Sequence, residues 1–290
     1  MENVEYKFTI VKKPLLTYWT ARSILKAYNS GLKSLKITLD LGLTYEEVYI
    51  NGERVKIRNN TISINLLNKV KDDYVYIVQD DKLIKIAFYD KGNYYKLKAL
   101  GETIAPTVEI NGIHMHRIKD TTPMDDAESK VKAARVSRCH RVLDICTGLG
   151  YTAIKSLDRG ACEIVSVEKD INILKIAELN PWSWRLSDKR IRIYLADASE
   201  LIKHFPTEYF DRIIHDPPRF SLAGELYSEE FYKQLYRVLK NRGILYHYTG
   251  EPGRVRGKSI LQGIISRLRR VGFYVQKYST ILGVVAFKEA

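Results

Sequence analysis

The chain of 290 residues carries 47 lysines and arginines against 34 aspartates and glutamates, a formal charge of +13, with 45% of its positions apolar and 28% charged. Folding at this length buries roughly 75% of the surface that the unfolded chain exposes, so one or two domains around a large core are expected and a small stapled scaffold is excluded. Cys139, Cys146 and Cys162 form no C-x-x-C pair, Glu2 and Glu5 stand where a signal peptide is basic, and no window approaches 18 uninterrupted apolar residues, so the expectation is a cytoplasmic protein with no membrane span, no metal and no disulfide framework.

Residues 1–118 read as a β-rich domain. A helix is expected from about Trp19 to Tyr28, and short alternating strands run from Leu35 to Arg117. Asn51-Gly52 between Glu47–Ile50 and Val55–Ile57 is a strong hairpin signal, because both turn residues must take positive φ. Asn111-Gly112 repeats it between Thr107–Ile110 and Ile113–His116. Tyr74–Val78, Lys82–Tyr89 and Tyr94–Leu100 read as one meander between the two hairpins, turning at Asp80-Asp81 and Lys91-Gly92.

Residues 119–290 have a different rhythm, apolar strands alternating with helices, which points to a parallel sheet covered on both faces. The strands are Arg141–Ile145, Glu163–Val167, Ile191–Leu195, Asp211–His215 and Ile244–Tyr248. Helices are expected at about Thr152–Leu157, Ile171–Leu179, Ala198–His204 and Ser228–Asn241, the last capped by Gly243. Ser259-x-x-Gln262 reads as a capping box opening another helix. Phe273–Val275 and Ile281–Phe287, joined by a turn without a helix, should pair antiparallel at the sheet edge.

The first of these strands runs into Cys146-Thr147-Gly148-Leu149-Gly150-Tyr151-Thr152-Ala153. Glycines at a strand-to-helix turn let a ligand approach the backbone and expose helix-terminal amides. Gly148-x-Gly150-x-x-Ala153 with Glu168 twenty residues on also fits a dinucleotide fingerprint, so the loop alone does not choose its cofactor. Four segments together do choose. Val142–Ala153 resembles the nucleoside-binding loop of class I S-adenosylmethionine methyltransferases, and Ile164–Asp170, Ile193–Ala198 and Ile213–Phe220 resemble their next three motifs in family order. The resemblance covers about Lys119 to Ala290, and the whole chain is also similar to a group of archaeal proteins predicted to be methyltransferases.

The resemblance implies an α/β Rossmann-like fold with a seven-stranded mixed sheet beside the β-rich N-terminal domain, and S-adenosyl-L-methionine as cofactor. Gly148 and Gly150 would pass under the methionine portion, Glu168 would accept hydrogen bonds from both ribose hydroxyls, and Asp197 would contact the adenine amino group. Asp144, Cys146, Lys169 and Ala198 complete the expected cofactor-binding set. Cys146 stands where many members have glycine, and it reads as a small residue packed beneath the loop rather than a catalytic thiol.

Asp216-Pro217-Pro218 ends the fourth strand, at the carboxyl edge where ligands of open α/β sheets bind. In the enzymes it resembles, this acid and the next carbonyl accept hydrogen bonds from a target amino group while an aromatic ring stacks on the base. Asp216, Pro217 and Phe220 are therefore the expected catalytic residues, with Arg219 standing where the aromatic normally is. Asp-Pro-Pro-Arg also resembles enzymes that methylate carbon 5 of pyrimidines, but those need a cysteine near the fourth or later strands, and all three cysteines here precede Asp197. His215 reads as a strand-end packing residue.

The acceptor is expected to be RNA, with tRNA favoured. Arg219 and the loop cations Arg254, Arg256 and Lys258 are the expected substrate-binding residues, and the +13 charge suits a polyanion. The β-rich half offers Arg54, Lys56, Arg58, Lys82, Lys85, Lys96 and Lys98 with Tyr94 and Tyr95 among them, which reads as an RNA-grasping module or equally as a lid or dimerisation domain. The rival readings are a polyamine aminopropyltransferase, a methyltransferase of a protein or small molecule, a nicotinamide oxidoreductase and a non-catalytic RNA-binding protein. The aminopropyltransferase substrate signature is missing, and Asp144, Asp197 and Asp-Pro-Pro together oppose the nicotinamide enzyme.

Overall fold

The structure is a computed structural model that describes residues 4–220, 222–250 and 257–289. Contacts divide it into two compact units, one made of the chain up to Phe8, Met124–Ile171 and the part from Arg185 onward, the other of Thr9–Pro123 and Asn172–Trp184.

The first unit is built on an eight-stranded sheet in the order Val4–Tyr6, Ile191–Leu195, Glu163–Glu168, Arg141–Ile145, Phe210–His215, Leu239–Tyr248, Gly283–Lys288, Phe273–Tyr278. The five central strands are parallel. Gly283–Lys288 lies antiparallel between Leu239–Tyr248 and the outer Phe273–Tyr278, as a strand pair without an intervening helix requires. Seven of these strands are the ones expected; the eighth, Val4–Tyr6, adds antiparallel to the far edge. Its three residues are too few to show a period. Leu143, Ile145, Val165, Val167, Ile213 and Leu245 of the sheet pack with Phe231, Leu235, Ile264 and Leu268 of the covering helices in one buried core.

The order of the strands positions the site. Chain progress starts at the central Arg141–Ile145 strand, moves outward to Glu163–Glu168 and Ile191–Leu195, then returns to the other side of Arg141–Ile145 with Phe210–His215. In doubly wound sheets such a reversal, where the loops leaving neighbouring strands diverge, is where ligands bind.

Two expected boundaries shift. The helix that opens at Ser228 runs Glu229–Val238 and stops because Leu239 already pairs with Phe210 in the sheet. Gly243 is inside the Leu239–Tyr248 strand rather than a helix cap, and a Cβ there would lie 2.5 Å from the Leu239 side chain. The last helix spans Gly257–Val271, so Ser259 is within it rather than at its start.

The second unit holds the helix Tyr18–Asn29, closed at its start by a reciprocal Thr17–Thr20 capping box, and three small sheets. Ser34–Ile37, Glu46–Asn51, Arg54–Ile57 and Asn60–Ser63 form an antiparallel meander around the Asn51-Gly52 turn. The expected second meander is in fact two sheets. Leu15–Leu16, Tyr76–Gln79 and Lys82–Lys85 make one; Ala87–Asp90, Asn93–Lys98, Thr107–Ile110 and Ile113–His114 make the other. Ile86 divides them: it is buried, its N–H donates to the Val75 carbonyl, and its own carbonyl accepts from Leu97, each at 2.9 Å. One residue thus hands the chain from one sheet to the next, and an apolar isoleucine inside an apolar run gives no sign of it. The inserted segment Asn172–Trp184 is bound to this unit through Asn172 Nδ2 donating to Asp90 at 2.7 Å and Trp182 Nε1 donating to the Leu41 carbonyl at 3.0 Å.

Candidate functional site

The glycine loop follows directly from the Arg141–Ile145 strand. Cys146, Gly148 and Gly150 take φ values of 69°, 56° and 77°, a left-handed conformation that costs a side chain about 1 kcal/mol or more and that explains why glycine is common where Cys146 stands. Gly150 also has no room for a side chain, since a Cβ would sit 2.5 Å from Leu186. Burial pushes the Cys146 thiol well above its usual pKa, as a packing residue and not a thiolate nucleophile requires.

Two buried acids brace this loop, each by neutral donors. Asp144 is fully buried; its Oδ1 accepts from the Thr152 hydroxyl at 2.6 Å and its Oδ2 from the Ser166 hydroxyl at 2.7 Å, with Thr147 joined to Ser166 at 2.7 Å. Burial raises the Asp144 pKa to about 7, against the pull of those two hydroxyls. Both Asp144 oxygens thereby tie the loop to the neighbouring strand and to the helix that follows it. Glu168 ends the Glu163–Glu168 strand, 7% exposed. Its Oε2 accepts from Gly148 N–H at 3.0 Å and its Oε1 from Lys169 and Asp170 N–H, both at 3.0 Å. Burial again raises the pKa, opposed by these amides.

Asp197 lies past the Ile191–Leu195 strand, exposed, and caps the short helix Ala198–Leu201 by accepting from Ser199 N–H at 2.8 Å and Ser199 Oγ at 2.6 Å. Ala198 is buried beside it, and Lys169 is exposed with its ammonium 3.8 Å from Glu225. Asp144, Cys146, Gly148, Gly150 and Glu168 therefore form one connected loop structure, whereas Asp197 sits at the end of the next strand.

The acceptor side grows from the adjacent strand at the sheet reversal. Asp216 N–H donates to the Ile145 carbonyl at 3.3 Å, so the Asp-Pro-Pro turn starts beside the glycine loop. Asp216 Oδ2 is 2.6 Å from the Lys130 ammonium, which is 2.7 Å from Asp126 on its own helix, Pro123–Ala133. Burial alone would discharge Lys130, but Asp216 and Asp126 overcome it and hold the ammonium above its usual pKa. Burial likewise raises the Asp216 carboxyl, against Lys130. The ammonium also lies 5.0 Å from the Tyr248 ring centre. Lys130 escaped the sequence reading. The trace it left was Asp126 and Lys130 four residues apart on the helix face that buries Ala127, Val131 and Ala134, a place where a charged pair needs a reason.

Tyr227 donates its hydroxyl to the Pro218 carbonyl at 2.7 Å and meets the Phe220 ring edge-on at 5.4 Å, leaving Phe220 45% exposed. Pro217 is buried and Arg219 exposed. His215 is fully buried, packed on His247 at 4.3 Å between ring centres, and burial holds its pKa well below the usual value, so it is a neutral packing residue. Arg254 and Arg256 lie outside the described residues, as does the side chain of Lys258.

The cations expected to grip RNA in the second unit are largely occupied. Arg54 pairs with Asp81, Arg58 with Glu46, Lys96 with Asp73 and Glu109, and Lys98 with Glu109. Lys96 is also buried, so it is no phosphate contact. Lys85 lies 4.2 Å from the Tyr74 ring centre. Alternation placed these residues on strands but could not show which cross-strand neighbour was acidic. Among the described residues no group of three metal-binding side chains occurs and no helix is long and apolar enough to cross a membrane.

A family described as Conserved hypothetical protein 95 matches residues 118–252. Uncharacterized protein MJ1233 of Methanocaldococcus jannaschii is 44% identical over 281 residues, covering 94% of this chain and 96% of that one. A polyamine aminopropyltransferase of Clostridioides difficile is 27% identical over 59% of this chain and 62% of its own. A ribosomal RNA large subunit methyltransferase I of Tolumonas auensis is 27% identical over 49% of this chain and 37% of its own. Spermidine synthase in complex with the transition state analogue AdoDATO shares the fold, at a TM-score of 0.55 and 22% identity over 70% of this chain and 72% of that one. The fold is thus a Rossmann-like α/β fold shared with spermidine synthase.

Proposed function

We propose, for a chain that belongs to the family of Uncharacterized protein MJ1233, that it transfers a methyl group from S-adenosylmethionine to an uncharged nitrogen of an RNA base. The observation that carries this reading is the pairing of Asp216 with the buried Lys130 beside the glycine loop.

The donor set fits a sulfonium nucleoside. Glu168, buried and bonded only to amides, presents a carboxylate suited to vicinal hydroxyls, since hydrogen bonds to a charged acceptor contribute roughly 1.5 to 3 kcal/mol each. S-adenosylmethionine, when bound, supplies a methyl group activated by its positive sulfur. At the other end, the exocyclic amine of a base is nearly non-basic because its lone pair is delocalised into the ring. Asp216 and the Pro217 carbonyl, by accepting its two hydrogens, orient the lone pair for in-line attack. Positioning of this kind needs neither a metal nor a covalent adduct. Phe220, held edge-on by Tyr227 and exposed on its other side, offers the ring on which a base stacks.

The second reading is aminopropyl transfer to a polyamine, favoured by the Clostridioides difficile relative and by the spermidine synthase fold. A di- or triamine is a multiple cation and calls for carboxylates with charge to spare. Asp126, Lys130 and Asp216 together carry a single net negative charge, short of what a di- or triamine calls for. The RNA acceptor is supported by the +13 charge and by the Tolumonas auensis relative, a ribosomal RNA methyltransferase by name; tRNA is its favoured form.

The experiment is to incubate the protein with methyl-labelled S-adenosylmethionine and total RNA, then identify labelled nucleosides by mass spectrometry, with decarboxylated S-adenosylmethionine and spermidine or putrescine as the parallel arm. Label on a base nitrogen is the expected result. Aminopropylated amine with unlabelled RNA would establish the second reading instead.

A further inference from the structure

We propose that Cys139 and Cys162 are a redox-modification site that a peroxide converts to an intramolecular disulfide, stapling the first two parallel strands at the edge opposite the glycine loop. The odd cysteine count conceals the pair, which lies where the chain enters the two strands. Arg141 pairs with Glu163 at the start of the two strands. Just before that register, Cys139 N–H donates to the Gly160 carbonyl at 2.8 Å and Cys162 N–H to the His140 carbonyl at 3.1 Å. Two backbone hydrogen bonds, one on each side of the pair, thus join the segments that carry the cysteines, the side-by-side placement that a disulfide needs. Both cysteines are exposed and unoxidised here, whereas Cys146 is packed at the far end of the same strand.

The Cys139 thiol, hydrogen-bonded to that of Cys162, raises the Cys162 pKa, while Arg138 and Arg190 pull it the other way. In the oxidation, one sulfur as thiolate attacks a peroxide oxygen, the O–O bond breaks, and a sulfenic acid and water result. The second thiol then attacks that sulfur, forming the S–S bond and releasing a second water. Two thiols lose two electrons and two protons in all, and the peroxide is reduced. The staple closes a loop of about two dozen residues that contains the glycine loop and the helix after it.

The test treats the full chain with hydrogen peroxide, alkylates it, and maps its peptides by mass spectrometry without reductant. Expected are a fall from three titratable thiols to one, a linked peptide pair carrying Cys139 and Cys162, and a thermal midpoint about 5–10 °C above that of the reduced protein. Cys139→Ser should form no link and show no rise. Three free thiols after treatment, sulfinic acids without a link, a cross-link through Cys146, dimers between chains, or a linked protein with an unchanged or lower midpoint would each overturn the proposal.

Discussion

The two ends of the crevice both bury acids, and they compensate them differently. At the cofactor end Asp144 is answered by two hydroxyls and Glu168 by three amides, all neutral donors. At the acceptor end Asp216 is answered by an ammonium, itself shared with Asp126. Neutral donors leave the Glu168 carboxylate without a counter-charge, which suits a cationic donor molecule; the buried lysine cancels one of the two charges of Asp126 and Asp216, which suits an acceptor of little charge. One sheet thus prepares two electrostatic environments within the length of a single loop.

The strongest way to break this contrast is to remove the cation. Lys130→Met leaves Asp126 and Asp216 facing each other under cover, and the loss of one partner of a buried pair costs roughly 3–5 kcal/mol. Thermal unfolding should show a midpoint lower by about 10 °C, and Asp126→Asn added to it should restore part of the loss. A midpoint within a degree or two of the parent's would mean that Lys130 compensates nothing.

The cofactor end should announce itself through pH. Burial holds the folded pKa of Asp144 at about 7, well above the ordinary carboxylate value, so its contribution to stability is fully present below about pH 4 and is lost as pH rises through 7, by up to about 4 kcal/mol. Asp144→Asn should flatten urea-unfolding stability between pH 4 and 8; the same slope in the variant would assign it to another group. Glu168→Gln keeps the shape and removes the charge, and should weaken S-adenosylmethionine binding by about 10- to 100-fold in isothermal titration. Unchanged affinity would separate this acid from the ribose. The smallest effect belongs to the other unit, where Arg58→Ala removes a surface ion pair with Glu46 and should change stability by about 1 kcal/mol or less.

Legibility follows the same division. The glycine loop, Glu168 and Asp197 are readable because they lie at fixed offsets from apolar strands, and the five parallel strands are readable because each holds a short cluster of apolar residues between helical segments. Lys130 is not, because the acid it serves is 86 residues away and only the sheet order brings the two together. Asp144 illustrates the converse: its position is plain in the sequence, but the direction of its carboxyl depends on Thr152 and Ser166, one on a helix and one on a neighbouring strand. Ile86 fails for a third reason, since a hinge between two sheets can be as apolar as the strands it joins.

The short Val4–Tyr6 strand has a role larger than its length. It covers the outer rim of Ile191–Leu195, whose free N–H and C=O groups would otherwise form a template for another chain. A truncated protein beginning at Phe8 would expose that rim, and its elution volume on gel filtration should fall as concentration rises while the intact chain's stays fixed. Purification tags belong at the other terminus.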